Sequence, residues 1–324
     1  MEENTEQRVD LTLFSEKIQE LKDRIASVIV GQEQTVDLVL TAILANGHVL
    51  IEGVPGVAKT LLARLVARLV DADFSRIQFT PDLMPSDVLG TTVFNMKTND
   101  FDFHQGPVFA DVILVDEINR APAKTQAALF EVMEERQVSI DGTTYQMGEL
   151  YTILATQNPV EQEGTYKLPE AQLDRFLMKI TMGYPSLDEE VSILERHHTN
   201  ASLVKLEDVT PAITKAELLS LRSVMNQVFV DRTLLQYIAL IVQQTRTSKA
   251  VYLGASPRAS VAMLQASKAY ALLQGRDFVT PEDIKFVAPS VLQHRLILTA
   301  EAEMEGYSPV KVTQRLIDKV EVPK

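Results

Sequence analysis

The sequence has no cysteine. That absence excludes disulfides, thiolate chemistry and cysteine-ligated zinc, and it fits a reducing compartment. Long apolar runs are also missing: no stretch approaches the roughly 18 residues that a membrane-crossing helix needs. Positive charge is scarce, with 31 Lys and Arg against 44 Asp and Glu and a formal net charge of −13. Nonspecific affinity for nucleic acid is largely electrostatic, so a broad phosphate-binding surface is disfavoured. The opening MEENTEQRVD is acidic and polar, without the basic-then-apolar pattern of a secretory signal. A cytoplasmic protein without direct membrane insertion is expected.

What the chain does have is enough apolar content, 46% of 324 residues, for a well-buried core of one large domain or two ordinary ones. Phe14, Ile18, Leu21, Ile25 and Val28 recur at helical spacing, which predicts an amphipathic helix over 11–29. A second helix over about 33–45 stops at Asn46-Gly47. Three apolar segments then read as buried strands: 48–51, 111–117 and 152–156. Helical patterns between them imply parallel βαβ units. Two hairpins interrupt this plan, one over 91–103 and one over 138–145 with Asp141-Gly142 at its turn. From 185 onward the expectation is helical, over about 188–198, 215–229, 232–247, 257–274 and 281–297. Pro257 and Thr280-Pro281-Glu282-Asp283 mark two helix starts.

The segment Gly53-Val54-Pro55-Gly56-Val57-Ala58-Lys59-Thr60 follows the first strand and opens a helix. That is the context in which successive N–H groups and a helix N-terminus cradle phosphate. The usual pattern has glycine before the lysine, and here that position is Ala58. If residue 58 takes right-handed helical geometry, alanine supplies the same N–H and the change is tolerable. Lys59 would then reach the outer phosphates and Thr60 would ligate Mg²⁺. Asp116 and Glu117 end the next apolar strand, where Asp116 can hold Mg²⁺ through water and Glu117 can polarise an attacking water. Alone, that pair reads better as a solvated acidic turn, and it is the phosphate-loop segment upstream that favours the site. Asn158 follows the third strand, at the sheet edge where ligands bind in open α/β folds, although Asn-Pro is also a common turn former.

Four stretches, GVPGVAKT, VILVDEINRAPAKTQAALFEVMEERQVSIDG, LATQNPVEQEGTYKLPEAQLDRF and GASPRA, together resemble the MoxR branch of the AAA+ ATPases. The likeness runs in order from Val30 to Arg295, and alanine before the lysine is familiar in that branch. Lys167 departs from the pattern, since relatives often carry proline there. The resemblance implies an α/β P-loop AAA+ core with a parallel sheet and inserted β-hairpins, over 1–184, followed by an all-helical lid over 185–324. The hairpins would be the helix-2 insert, about 84–108, and the pre-sensor-1 hairpin, about 136–150, both facing a central pore.

The family pattern also implies site residues. Lys59 and Thr60, with Gly53 to Leu61 around them (Val54, Pro55, Gly56, Val57 and Ala58), form Walker A. Asp116 and Glu117 form Walker B, and Asn158 is sensor 1. Val30, Gly31 and Gln32 line the adenine. Arg175 matches an arginine finger acting on a neighbour's nucleotide, and Arg258 matches sensor 2. Judged without the family, Arg175 could be a helix-end ion pair and Arg258 a solvated first-turn residue, while Arg120 is a second finger candidate. The histidines at 48, 104, 197, 198 and 294 show no metal-ligand pattern and read as structural or surface groups.

The activity so implied is ATP hydrolysis with Mg²⁺ in a hexameric ring. It would be coupled to chaperone-like maturation, including metal insertion, of a protein substrate or a von Willebrand factor A-domain partner. Two alternatives are a nucleic-acid motor and a non-hydrolysing nucleotide switch. The hairpin tips, Lys97 to Asp100 and Asp141 to Thr144, are polar and mixed or acidic, which counts against the motor. Glu117, Asn158 and Arg175 count against the switch.

Overall fold

A computed structural model describes residues 11–159, 165–198 and 206–323. The acidic first ten residues and positions 160–164 of the asparagine-bearing stretch lie outside the described residues. Helices α1 (Thr12–Val28) and α2 (Glu33–Leu44) precede β1 (Val49–Gly53), α3 (Lys59–Leu69) and β2 (Phe74–Gln78). A short α4 (Pro85–Leu89) leads into a hairpin of β3 (Gly90–Asn95) and β4 (Asp100–Gln105). Next come β5 (Val112–Asp116) and α5 (Ala123–Glu135), then a second hairpin of β6 (Gln137–Ile140) and β7 (Thr143–Gln146). The sheet is completed by β8 (Thr152–Gln157) and, after the one-turn α6 (Glu170–Leu173), by β9 (Met178–Met182).

The last part holds α7 (Leu187–His198), α8 (Lys215–Met225), α9 (Arg232–Thr247), β10 (Val251–Leu253), α10 (Pro257–Leu273) and α11 (Pro281–Leu292). It closes with β11 (Ile297–Leu298), α12 (Ala300–Met304) and α13 (Pro309–Lys319).

The main sheet has the order β2-β5-β8-β1-β9 and is parallel throughout. Its three central strands are buried on both faces, which is why they read as unbroken apolar runs. Alternation assigns their side chains to two layers. Val49, Ile51, Val112, Leu114 and Leu154 point into a core shared with α1, α2, α3 and the later helices. Leu50, Ile113, Val115, Ile153 and Ala155 point to a second core with Leu129, Phe130 and Met133 of α5. Each fully buried side chain of this size contributes about 1.5–3 kcal/mol.

The two edge strands were not expected from the sequence. In β2 only Ile77 is buried, and in β9 buried Met178, Ile180 and Met182 alternate with Lys179 and Thr181. One-sided burial at a sheet edge lets polar residues in and dilutes the signal. The hairpin turn at Asp141-Gly142 has φ of 51° and 79°, the two positive values a primed turn requires. The C-terminal part is helical, with an added antiparallel ribbon of β10 and β11 that the helical spacing conceals. The helix expected over 281–297 ends at Leu292 because Ile297 pairs in that ribbon, and α12 and α13 extend the chain beyond the expected helices. α10 packs against α2, α9 and α11 through small residues, Ala259, Ala262, Ala266 and Ala269, all buried. The apolar core is therefore continuous between the sheet's α1–α2–α3 face and the later helices.

Among the described residues, no helix is long and apolar enough to cross a membrane.

Candidate nucleotide site

The parallel sheet places chemistry at two opposite edges. At its C-terminal edge, β1 ends in Gly53 and the loop climbs to α3. Val57 is buried and Val54 is half-buried against the core, which leaves Pro55 and Gly56 exposed at the crest. Gly56 has φ +87°, in the left-handed region that favours glycine, with open space around the position of an added Cβ. Lys59 Nζ donates to Gly53 O at 2.6 Å and so spans the loop from helix to strand. Thr60 follows in the first turn of α3, and Leu61 anchors that turn to the core.

Ala58 departs from the expected geometry. It sits at φ 61°, ψ 23°, in the left-handed region, and not in right-handed helical geometry. As the residue capping α3, it turns the chain from the loop into the helix while its carbonyl accepts the first helical bond from Leu62 N at 2.9 Å. An L-residue in that conformation costs about 1–2 kcal/mol. Glycine would hold it more cheaply, which is the physical reason for glycine in the usual pattern.

Asp116 ends β5 with its side chain only 9% exposed. Its Oδ2 accepts from Arg76 Nε at 2.7 Å and its Oδ1 from Thr156 Oγ1 at 3.1 Å. The Thr156 hydroxyl also accepts from Glu117 N at 3.0 Å, tying β8 to both carboxylate residues. Glu117 accepts from Gln78 Nε2 at 2.9 Å and pairs with Arg120 Nε at 3.1 Å. Arg120 thus lies on this edge, beside its own subunit's Glu117. Arg76 and Gln78 are two apart on β2, hence on one face of that strand, and each holds one carboxylate. Asn158 is buried just past β8, level with these groups.

Val30, Gly31 and Gln32 lie where β9 passes into α7. Gln32 Nε2 donates to Gly183 O at 3.2 Å, and Thr35 Oγ1 donates to Gln32 Oε1 at 3.0 Å. Gly31 has φ +68°, in the left-handed region that favours glycine, and a Cβ there would displace only the flexible end of the Glu189 side chain.

The N-terminal edge is a different place. A cleft of about 320 Å³ opens there, lined by Asn46, Arg136, Asp174, Arg175, Arg258 and Arg295 among others. Arg175 Nε pairs with Glu134 Oε2 at 2.9 Å, and its guanidinium lies 5.9 Å from the centre of the Phe130 ring, one helical turn earlier on α5. Arg258 Nη2 pairs with the other oxygen of the same carboxylate, Glu134 Oε1, at 3.2 Å. Arg295 is 4% exposed and clamps the segment that carries Arg175. Its Nε donates to Asp174 Oδ1 at 2.6 Å and its Nη2 to Phe176 O at 2.7 Å. Burial pulls the Arg295 pKa down, against the stabilising Asp174.

Two buried histidines brace this edge. His48 donates through Nε2 to Met133 O at 3.2 Å, while its Nδ1 accepts from Ile153 N at 3.0 Å. Burial, and then Arg136, lower its pKa to about 3. A second proton would fall on Nδ1, facing an N–H that already points there. His294 contacts Phe176 O at 3.0 Å, and its pKa is also pushed well down by burial. Neither has a metal-ligand arrangement, and no group of three or more acidic or imidazole ligands occurs among the described residues.

The structure therefore brings Lys59, Thr60, Asp116, Glu117 and Asn158 together and sets Arg175 and Arg258 apart from them. The two edges are separated by the length of β1, five residues or about 16 Å. Sequence reasoning missed Arg76, Gln78, Thr156 and Glu134. The only advance signal was the alternation of Arg76 and Gln78 on an edge strand, and Glu134 had none. Beside the polar tip of the first hairpin, Lys97 to Asp100, Phe94 and Phe101 form an edge-to-face pair at 5.2 Å, and both, with Met96, are exposed.

Residues 48–178 match a family model described as "ATPase family associated with various cellular activities (AAA)", and 243–318 match an "AAA lid domain". The chain is 47% identical to the uncharacterized protein YeaC of Bacillus subtilis, covering 93% of each. It is 46% identical to the protein named Chaperone MoxR1 of Mycobacterium tuberculosis, over 93% of this chain and 81% of that one. A crystal structure of a Cytophaga hutchinsonii protein described as a candidate ATPase superimposes with a TM-score of 0.87 at 42% identity, covering 96% of both chains.

Proposed function

The chain belongs to the MoxR family of AAA+ ATPases, and from that premise we propose that it hydrolyses ATP at sites completed between identical subunits of a ring, coupling turnover to remodelling of a protein partner. Residues to about 184 are the nucleotide-binding unit, and 185–324 are its lid. One observation carries the proposal. The phosphate loop and carboxylates lie at one end of the sheet while the arginine pair lies at the other. Neither arginine can span the sheet to its own subunit's phosphate loop, so each is useful only to a neighbour's.

In this scheme the α3 N-terminus and loop N–H groups bind the phosphates. Lys59 exchanges the Gly53 carbonyl for a phosphate oxygen. Thr60 and Asp116 are the residues that would hold Mg²⁺, which would supply positive charge against the phosphates when bound. The fit is good: Asp116 is buried and preorganised, each of its oxygens keeps a lone pair beyond its hydrogen bonds to Arg76 and Thr156, and a site built on phosphates and water needs no cluster of protein ligands. Glu117 takes the proton from the attacking water once Gln78 and Arg120 yield it. Asn158 orients that water or the terminal phosphate. Arg175 and Arg258 of the adjacent subunit offset charge that develops on the transferring group.

The exposed Phe94, Met96 and Phe101 suit apolar polypeptide better than a phosphate backbone, because Asp100 and Asp102 surround them with negative charge. A protein substrate is therefore favoured over nucleic acid, and an A-domain protein is a suitable partner class. The test is an ATPase assay across protein concentration, with and without DNA. Specific activity should rise with concentration and ignore DNA. Concentration-independent activity, or strong stimulation by DNA, would overturn this function.

A further inference from the structure

Glu134 belongs to neither carboxylate assigned to the phosphate site, yet it is the point on which both catalytic arginine candidates converge. Oε2 takes Arg175 and Oε1 takes Arg258, so one carboxylate bridges two guanidinium groups. Two details make this more than a surface ion pair. Glu134 lies in the last turn of α5, where the helix dipole disfavours an anion, and Arg258 lies in the first turn of α10, where it disfavours a cation. Each charge stands at the wrong end of its own helix, and the other compensates for it. The cation next to Glu134 in sequence, Arg136, is engaged elsewhere, donating to Asn46 Oδ1 at 2.9 Å and Asn46 O at 2.6 Å.

We propose that Glu134 is a positioning residue that holds Arg175 and Arg258 side by side as one two-arginine unit, ready for the terminal phosphate of the ATP bound by the adjacent subunit. The proposal rests on the trans action of Arg175 stated above. Two guanidinium groups this close repel each other, and without an anion between them they would part. Arg175 is also shelved on Phe130, but Arg258 has 66% of its side chain exposed and depends on Glu134 for its direction. The bridge is suited to exchange. Both pairs are partly exposed, so each is weak. A phosphate, with more acceptor oxygens and more charge, displaces the carboxylate readily and inherits both arginines already aligned. Because Arg175 lies in the sheet domain and Arg258 on a lid helix, the bridge also fixes the lid against the core on the face offered to the neighbour.

The experiment uses the full chain and compares Glu134→Gln, Glu134→Asp and Arg175→Ala, alone and mixed with Lys59→Ala. Misplacing catalytic groups by an ångström costs up to about a hundredfold, so Glu134→Gln should lower kcat about ten- to a hundredfold. ATP affinity should stay within about twofold, because the subunit's own phosphate loop is untouched, and Glu134→Asp should recover much of the loss. Mixed with Lys59→Ala subunits, Glu134→Gln should regain turnover, since its nucleotide is then served by intact arginines from the other protein. A merely structural loss would weaken nucleotide binding and would not be rescued in the mixture. Unchanged kcat in Glu134→Gln would overturn the proposal, as would a raised kcat, which would make the carboxylate a brake. The Arg175→Ala mixture separates the two levels. If it too fails to recover, trans action itself is wrong. If it recovers while Glu134→Gln keeps full turnover alone, only the role of Glu134 falls.

Discussion

The two edges of the parallel sheet solve opposite problems with the same kinds of side chain. At the C-terminal edge, carboxylates are buried or half-buried and arginines serve them: Arg76 holds Asp116, and Arg120 holds Glu117. At the N-terminal edge the arginines face outward around a cleft, and a carboxylate, Glu134, serves them. The first edge is arranged to receive a polyanion and a cation from solution. The second is arranged to be received by something anionic that the subunit does not itself hold at that end. Under the proposed function a single subunit would carry both halves of a phosphoryl-transfer site, at the two ends of β1. Strands that point one way put the phosphate loop on one rim and the arginines on the other, and this is the topology on which the proposed assembly rests.

That contrast can be broken or sharpened, beginning with the largest effect. Arg175→Ala should cost about three to five orders of magnitude in turnover while ATP binding, followed by a fluorescent nucleotide, stays near that of the unaltered protein. An equal loss of affinity would place Arg175 at its own subunit's site. Glu117→Gln should lower turnover by about 10²–10⁴ and keep nucleotide bound. Lys59→Ala should instead lose affinity, and if the two variants behaved alike the division of labour at the C-terminal edge would be wrong.

Acid should attack the other edge. His48 titrates at about 3 when folded and near its ordinary 6.5 when unfolded, so below 6.5 the unfolded chain binds a proton that the native one refuses. Stability then falls as pH drops from 6.5 toward 3, by about 1.4 kcal/mol per pH unit for each such histidine once the unfolded form is fully charged. Urea midpoints at pH 7 and 5 measure this, and His48→Asn should flatten the slope. An unchanged slope would mean that His48 is not neutral in the fold.

The smallest effect concerns Ala58. Glycine there relieves about 1–2 kcal/mol of left-handed strain and returns about 0.5–1 kcal/mol in chain entropy. Ala58→Gly should therefore leave stability equal or raise it by up to about 1.5 kcal/mol, and nucleotide affinity should change no more than a few-fold. A marked loss of stability would show that the methyl packs against something the strain conceals.

Much of this is legible in the sequence. β1, β5 and β8 are central strands, sealed on both faces, and their apolar runs announce them; the residues just past their ends carry the phosphate loop, Asp116, Glu117 and Asn158. β2 and β9 are edges, and β2 hid Arg76 and Gln78 in a polar-looking segment. Ala58 misled for a different reason. Its position at a helix start suggests helical geometry, but the phosphate loop enters α3 through a left-handed residue, whereas the caps at Thr214, Asp231 and Thr280 are extended. Glu134 was invisible because nothing in a run of glutamates on an amphipathic helix says which one will meet two arginines from elements about 40 and 120 residues away.

The most direct measurement is of turnover in mixtures of two inactive proteins, Arg175→Ala and Lys59→Ala. The first binds nucleotide but lacks the arginine, and the second supplies the arginine but lacks the lysine. The two sheet edges predict recovery of ATP hydrolysis on mixing. Recovery should grow with total concentration and with a modest rise in ionic strength that screens the repulsion between subunits of net charge −13. No recovery at any ratio or concentration, with both proteins folded, would contradict a site shared between the two edges of neighbouring subunits.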